Sequence, residues 1–474
     1  MSTGRRVVVI GGGLAGITAA LDCADAGARV TLVEVRRRLG GAAYSFEREG
    51  LLMDNGQHVF LRCCVSYRGL LARLGSEDRV TIQPRLEIPV LKPRARTAAL
   101  RRGSLPAPLH LSGALARYPH LSVRERVRAA RAALALARLD PSAEELDRVT
   151  FGDWLSRHGQ SANAVSSLWD LIARPSLNLP AVEASLAQAA FVFRTGLLSG
   201  SDSGDIGFHS RSLDEVIGGP AARALSSAGV EVMLGSRAER LQLLDGVFQI
   251  HGPPEELSGE VAIVAVPPMR AATLLEPLLG SSAKALRALG SSPIVNLHVL
   301  YDRPVSPLSF AAGVRTPVQY LFDRTAAAGA PTGSQYLVVS LSGAEREMQM
   351  SVEALREEYV PALARLLPPA RDAQLELFVA TREHAATFRA APGVRALRPR
   401  PRTSLPGLVL AGAWTATDWP ATLEGAVLSG HAAARAALET LALEPAGPAQ
   451  ARSAGAATSA AEPTMAHQTT ASRP

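Results

Sequence analysis

Residues 5–41 read RRVVVIGGGLAGITAALDCADAGARVTLVEVRRRLGG. Arg5 to Ile10 is a short β-branched run, the composition of a strand buried in a parallel sheet. Gly11 to Gly16 follows at once and fits G-x-G-x-x-G. Apolar residues at 14, 17, 20, 21 and 24 predict a helix over 14–26, which Gly27 closes. Residues 28–33 form a second β-branched run that ends in Glu34. Strand, glycine turn, helix, strand and acid stand in the order a dinucleotide-binding βαβ unit requires.

Each residue type has a physical task. Gly11 permits the tight turn out of the strand, and Gly13 lacks the Cβ that would keep a pyrophosphate from the backbone. Gly16 lets the helix pack close to the sheet. The first helical turn, with Leu14 and Ala15, presents unpaired N–H groups and a partial positive charge to phosphates. Glu34 lies eighteen residues beyond Gly16 and accepts hydrogen bonds from ribose hydroxyls. An acid there disfavours a 2′-phosphate, so NADP is not expected.

The 474 residues suffice for two domains, and 47% apolar content places the chain among globular proteins. The formal charge of +7 comes almost wholly from arginine, since Lys92 and Lys284 are the only lysines. That bias reads as genome composition. No basic run is interleaved with aromatics, so no nucleic-acid partner is expected. Cys23, Cys63 and Cys64 are too few for a disulfide framework and unsuited to a zinc site, so no metal is expected and the compartment is reducing, that is, cytoplasmic. No run of about 18 apolar residues is present to span a bilayer.

Further along, residues 45–46 and 51–53 predict a hairpin around Gly50. The following DNGQH segment, residues 54–58, is a polar glycine turn that lets the backbone approach a flat ligand at Gly56. His58 either acts there as an acid or caps the turn. Residues 66–75 predict a helix, and 80–106 predict strands broken by prolines. Residues 122–139 predict a helix with a Ser122/Glu125 capping box and many arginines. Its face is either solvated or a basic surface for anionic lipid. Residues 150–200 read as helices, core or the wall of a lipid-sized cavity, and 200–207 as a loop. Strands are expected at 229–234, 260–266, 295–301, 336–341, 375–380 and 408–411, with a meander over 238–252 and helices at 212–227, 353–367 and 421–441. Residues 444–474 turn to Ala, Pro, Ser, Thr and Gly and are expected to be disordered.

Two stretches resemble FAD enzymes of the amine oxidase and phytoene desaturase superfamily. In Glu34-Val35-Arg36-Arg37-Arg38-Leu39-Gly40-Gly41, an acid, a basic segment and a Gly-Gly pair fold over the pyrophosphate in such enzymes. Ala42 stands where many relatives have an arginine, which leaves Arg37 or Arg38 to supply that contact. The segment AGAWTATDWPATLEGAVLSG, residues 411–430, resembles their second flavin motif. The resemblance implies flavin contacts at Gly412, Ala413 and the helix N-terminus at Leu423 and Glu424, and places Ala238 near the adenine. It implies FAD, held non-covalently because no cysteine lies near the second motif. Residues 54–75, 167–180 and 413–427 together resemble the squalene-associated FAD-dependent desaturases, also called hydroxysqualene dehydroxylases.

The fold class this implies is α/β: a Rossmann-type FAD-binding domain interleaved with an α+β substrate domain. The expected division is 1–105, 206–289 and 396–443 for the FAD domain, 106–205 for a helical cap, 290–395 for a substrate-domain sheet and 444–474 for the tail. The implied activity is reductive removal of the hydroxyl of hydroxysqualene, giving squalene for hopanoids. The implied partners are a lipophilic isoprenoid, a membrane surface touched peripherally, and upstream squalene-pathway enzymes. The chemistry needs an acid for the leaving hydroxyl, and His58, Asp170, His209 and Asp418 are candidates. Arg174 either pairs with Asp170 or holds an anion. The alternatives are a desaturase of a carotenoid-like polyene, an amine oxidase, and a non-catalytic FAD-binding scaffold.

Overall fold

The computed structural model describes residues 5–442. Strand β1 (Arg6–Ile10), helix α1 (Leu14–Asp25) and strand β2 (Arg29–Glu34) form the expected unit. β1 is central in a five-stranded parallel sheet, with β2 and then Glu231–Leu234 on one side, and Val261–Val264 and then Leu408–Leu410 on the other. Alternation divides its residues between two cores. Val7 and Val9 pack with α1 and the C-terminal helix Leu423–Thr440, while Val8 and Ile10 pack toward the rest of the molecule.

The second sheet has seven strands, in the order Leu375–Thr387, Ser292–Tyr301, Gln335–Ser342, Tyr320–Asp323, Phe310–Gly313, Glu87–Leu91 and Ala98–Arg101. Its two faces differ. Val295, Leu297, Val299, Leu337, Val339 and Leu341 are sealed against Leu355, Tyr359 and Leu363 of the helix Val352–Leu366. The opposite face carries Asn296, His298, Ser340, Tyr320, Phe322 and Phe310, by the same alternation and register.

Helix α2 (Val65–Arg73) follows the strand Val59–Leu61, which pairs with Ile206–His209. Helices α3 (Ser112–Arg117) and α4 (Val123–Ala137) open the helical region, and α4 has the expected capping box. Further on, Tyr320 ties this region to the seven-stranded sheet by donating to the Leu171 carbonyl at 2.7 Å. No helix among the described residues is long and apolar enough to cross a membrane.

Several boundaries need correction. Glu87–Leu91 and Ala98–Arg101, expected within the first part of the FAD domain, are strands of the seven-stranded sheet, because 87–91 pairs in parallel with 310–313. The strands 310–313 and 320–323 were not foreseen, and the strand from Leu375 runs on to Thr387. The expectation for 444–474 lies outside the described residues.

Candidate functional site: a dinucleotide and flavin cradle

The glycine turn is built by close approach. A Cβ on Gly16 would lie 1.9 Å from the Gly11 carbonyl oxygen, so only glycine lets α1 cross the turn there. Gly11 has φ +116°, a conformation that favours glycine. Gly40 donates to the Gly12 carbonyl at 2.9 Å and lays the Gly40-Gly41 pair against the turn. A Cβ on Gly41 would meet the Gly13 Cα at 2.7 Å. Gly13 itself is different, since its Cβ would meet only the Gly41 Cα, at 3.7 Å. The protein therefore leaves room beside Gly13 that it does not fill. Leu14 and Ala15 form a first helical turn with no side-chain cap at Gly13. Gly430 packs against the Ala15 carbonyl, 2.5 Å from its would-be Cβ, and so sets the C-terminal helix against α1.

Glu34 is buried and accepts from the Gly12 and Arg36 N–H groups, each at 2.7 Å. Each oxygen keeps a second lone pair for a ribose hydroxyl. Ser236 donates to the Glu34 carbonyl and Gly235 to that of Arg36, which places buried Ala238 on the segment running beside this edge. Of the basic residues, Arg36 and Arg37 are exposed. Arg38 lies 3.5 Å over the Tyr44 ring and donates to the Gly41 carbonyl at 3.2 Å. Burial lowers its pKa.

The DNGQH turn is held by the seven-stranded sheet. Asn296 donates to the Asn55 carbonyl at 3.0 Å, while its own Oδ1 is buried with no partner among the described residues. His58 Nδ1 lies 3.1 Å from the Gly56 carbonyl and so carries the proton. Its Nε2 has no partner among the described residues. Burial lowers the His58 pKa, with Asp54 opposing, so the neutral ring presents an acceptor at Nε2. This corrects the expectation of His58 as a proton donor.

His209 is also corrected. Its Nδ1 faces the His58 carbonyl at 2.8 Å and its Nε2 accepts from the Tyr67 hydroxyl at 2.7 Å, so both nitrogens are used. Burial, reinforced by His58, brings its pKa down to about 3. His209 is a strut between the DNGQH turn and α2.

The second motif is fastened by side chains. Gly412 has φ +140° and donates to Ser429 Oγ at 2.8 Å. Arg398 is buried and donates to the carbonyls of Ala413 and Thr415 and to the Thr417 hydroxyl, at 3.0, 2.6 and 3.0 Å. Burial lowers its pKa to about 10. No sequence signal singled out Arg398 among its neighbouring arginines. Thr422 caps the C-terminal helix through the Gly425 N–H at 3.2 Å. The N–H groups of Leu423 and Glu424 find no acceptor among the described residues. The Glu424 carboxylate is turned away from them, buried, and accepts from the Ser66 and Tyr67 N–H groups of α2 at 3.0 and 2.7 Å. Glu424 thus offers a ligand its backbone alone.

The two remaining acids part company. Asp418, one of the expected acids, has a side chain 70% exposed that pairs with Arg395 at 3.4 Å. Asp170 is half-buried and accepts from the Ala181 N–H at 2.8 Å. Burial raises its pKa against the pull of that bond and of Arg174. Arg174 forms no ion pair among the described residues, and its Nε is buried without a partner.

These features fit FAD. The open space at Gly13 suits a pyrophosphate, Glu34 a ribose, and the free amides at Leu423 and Glu424 a flavin oxygen. Comparison with known proteins agrees. Hydroxysqualene dehydroxylase from Rhodopseudomonas palustris is 28% identical over 423 residues, covering 87% of this chain and 93% of that one. A 15-cis-phytoene desaturase from Narcissus pseudonarcissus is 25% identical over 443 residues, covering 87% and 75%. Among solved structures, cyclohexylamine oxidase from Brevibacterium oxydans superposes with a TM-score of 0.71 at 20% identity, over 93% of this chain and 100% of that one, a likeness of fold. Residues 14–438 match the family described as flavin containing amine oxidoreductase. The chain belongs to that family and is an FAD-dependent oxidoreductase.

Proposed function

We propose that this enzyme reductively removes the hydroxyl of hydroxysqualene to give squalene, on a route to hopanoids. The observation that carries this reading is the aromatic face of the seven-stranded sheet. Phe208 lies 4.9 Å from Phe310, Phe310 6.1 Å from Phe322, and Phe322 6.1 Å from Tyr320. Phe208 pairs with Val59, the neighbour of His58, so the row begins beside the flavin turn. Such a wall suits a polyprenyl chain and keeps water from a cationic centre. The similarity to hydroxysqualene dehydroxylase along most of both chains supports the same reading.

When bound, reduced FAD supplies hydride to the carbon that loses the hydroxyl. The residues do the rest. His58 Nε2 accepts the hydrogen bond of the substrate hydroxyl and orients it. Asp170, shifted by burial toward its protonated form, gives the proton that lets the oxygen leave as water with the electron pair of the C–O bond. Gly13, Glu34, Arg38 and the Leu423 and Glu424 amides hold the cofactor.

The test mixes reduced enzyme anaerobically with hydroxysqualene in heavy water. The expected result is return of the oxidised flavin spectrum with squalene carrying one deuterium at the former hydroxyl carbon. Asp170→Asn is expected to lower turnover about hundredfold or more while flavin content is kept. Oxidised enzyme that adds double bonds to polyenes, with hydroxysqualene left untouched by reduced enzyme, would establish instead the desaturase reading that the phytoene desaturase similarity favours.

A further inference from the structure

Helix α4 has two unlike sides. Ala129, Ala132 and Leu136 are buried. The outer side exposes Val123, Val127 and Leu134, interleaved with exposed Arg124, Arg131 and Arg138. Its acid, Glu125, is turned inward and accepts from Ser122, Ser161 and Asn163. None of these arginines forms an ion pair among the described residues, and Arg128 reaches only the Gly159 carbonyl at 3.4 Å. Nearby acids are engaged elsewhere, Asp140 with Ser142 and Glu144 with Arg148.

The exposure continues into the preceding segment. Leu105 and Leu109 are about half exposed, just ahead of α3, which packs on α4 and accepts from Arg126 through the Ala116 carbonyl at 2.7 Å. Five of the thirteen large apolar residues exposed in the described structure fall between 105 and 134, so the exposure is concentrated rather than scattered. A solvated helix face mixes both signs of charge. This one alternates aliphatic side chains with unpaired guanidinium groups, the complement of a surface that is anionic outside and apolar beneath.

We propose that the outer face of α4, with the loop around Leu105 and Leu109, docks the enzyme on an anionic lipid bilayer. The aliphatic side chains enter the boundary between headgroups and acyl chains, and the arginines hold lipid phosphates. The surface stands on its own observations. A lipid-soluble substrate, as proposed above, gives it a purpose.

The test is flotation of the FAD-loaded full chain with vesicles of phosphatidylcholine, with and without phosphatidylglycerol. Wild type is expected to float with the anionic vesicles at low salt, to stay down with the neutral ones, and to be partly released by salt. The double variant Arg124→Glu/Arg131→Glu is expected to bind roughly tenfold more weakly or worse. Val127→Ser/Leu134→Ser is expected to bind at low salt and to be released more completely at high salt. Both are expected to keep flavin content, melting temperature and turnover in detergent micelles, so failed docking and failed chemistry are read separately. Wild type remaining unbound at low salt, or variants floating as wild type does, overturns the proposal. So does a dimer in sedimentation velocity that both variants break, which would make this face a contact between copies.

Discussion

The two ends of the flavin site are built by opposite means. At the amino end the work is done by missing side chains: Gly16 and Gly41 let backbone lie against backbone, and Gly13 leaves the space beside it open, within thirty or so residues of sequence. At the carboxyl end it is done by side chains, one of which reaches across the chain. Glu424 caps α2 from 357 residues away, and Arg398 gathers three oxygens of the 413–417 loop. A site made of absences is local and leaves a motif. A site made of side-chain ties leaves single residues with no motif.

The sharpest way to break the comparison is inside the glycine turn. Gly16→Ala adds one methyl 1.9 Å from a carbonyl oxygen, and neither the turn nor the helix can yield without unpacking β1. We expect a destabilisation on the order of several kcal/mol and little folded protein, read by circular dichroism and soluble yield. Gly13→Val should behave otherwise. Its Cβ meets nothing nearer than 3.7 Å, so the apoprotein should melt near wild type, yet purify without flavin absorbance. A yellow, fully loaded Gly13→Val protein would show that the pyrophosphate does not lie there.

At the other end the effect should be graded. Glu424→Ala leaves two α2 amides buried without an acceptor, a loss of about 2–5 kcal/mol. Glu424→Gln keeps one acceptor oxygen and should recover part of it. Because the carboxylate faces α2 and not the cofactor side, FAD affinity should follow stability in both variants, measured by flavin release against denaturant. Flavin loss in a Glu424→Gln protein of wild-type stability would mean that the side chain touches the cofactor.

That contrast also explains what was legible in the sequence. The βαβ unit and the Ser122/Glu125 capping box were, because period and cap act over a few residues. The strands 310–313 and 320–323 were not, because each is four residues long and is defined by its neighbours. The membership of 87–101 in the second sheet rests on a partner more than two hundred residues away. His209 was named as an acid because an isolated histidine carries no mark of having both nitrogens bonded. Arg398 carried no mark at all.

Two buried histidines, His209 and His298, set a pH dependence. Burial brings His209 down to about 3 and His298 down to about 4, from 6.5 when exposed. Both are neutral in the fold and take up protons on unfolding. Their contribution is therefore complete above pH 6.5 and is lost as pH falls toward 4 and 3. Urea unfolding at about pH 5.5 should give a stability about 2–3 kcal/mol below that at neutral pH, as an upper value for two such groups. His298→Asn should flatten that slope. A stability unchanged over this interval would mean that these rings are not held neutral.

The smallest effect is expected from the residue most like Asp170 in the sequence. Both aspartates stand beside a tryptophan in a motif of the same branch, and composition does not separate them. Their surroundings do. Asp170 is half-buried, with its carboxyl shifted upward by burial and fixed by the Ala181 amide. Asp418 is 70% exposed and shares its charge with Arg395 across 3.4 Å of solvent-screened space. An exposed pair of this kind is worth less than about 1 kcal/mol. Asp418→Asn should therefore alter turnover by less than about twofold and leave flavin content intact, where Asp170→Asn loses turnover. The pair of measurements is made under one assay, with retained flavin absorbance as the check on folding. If Asp418→Asn instead abolished turnover with flavin retained, the proton would enter from the second-motif loop, and that end of the site would hold the chemistry as well as the cofactor.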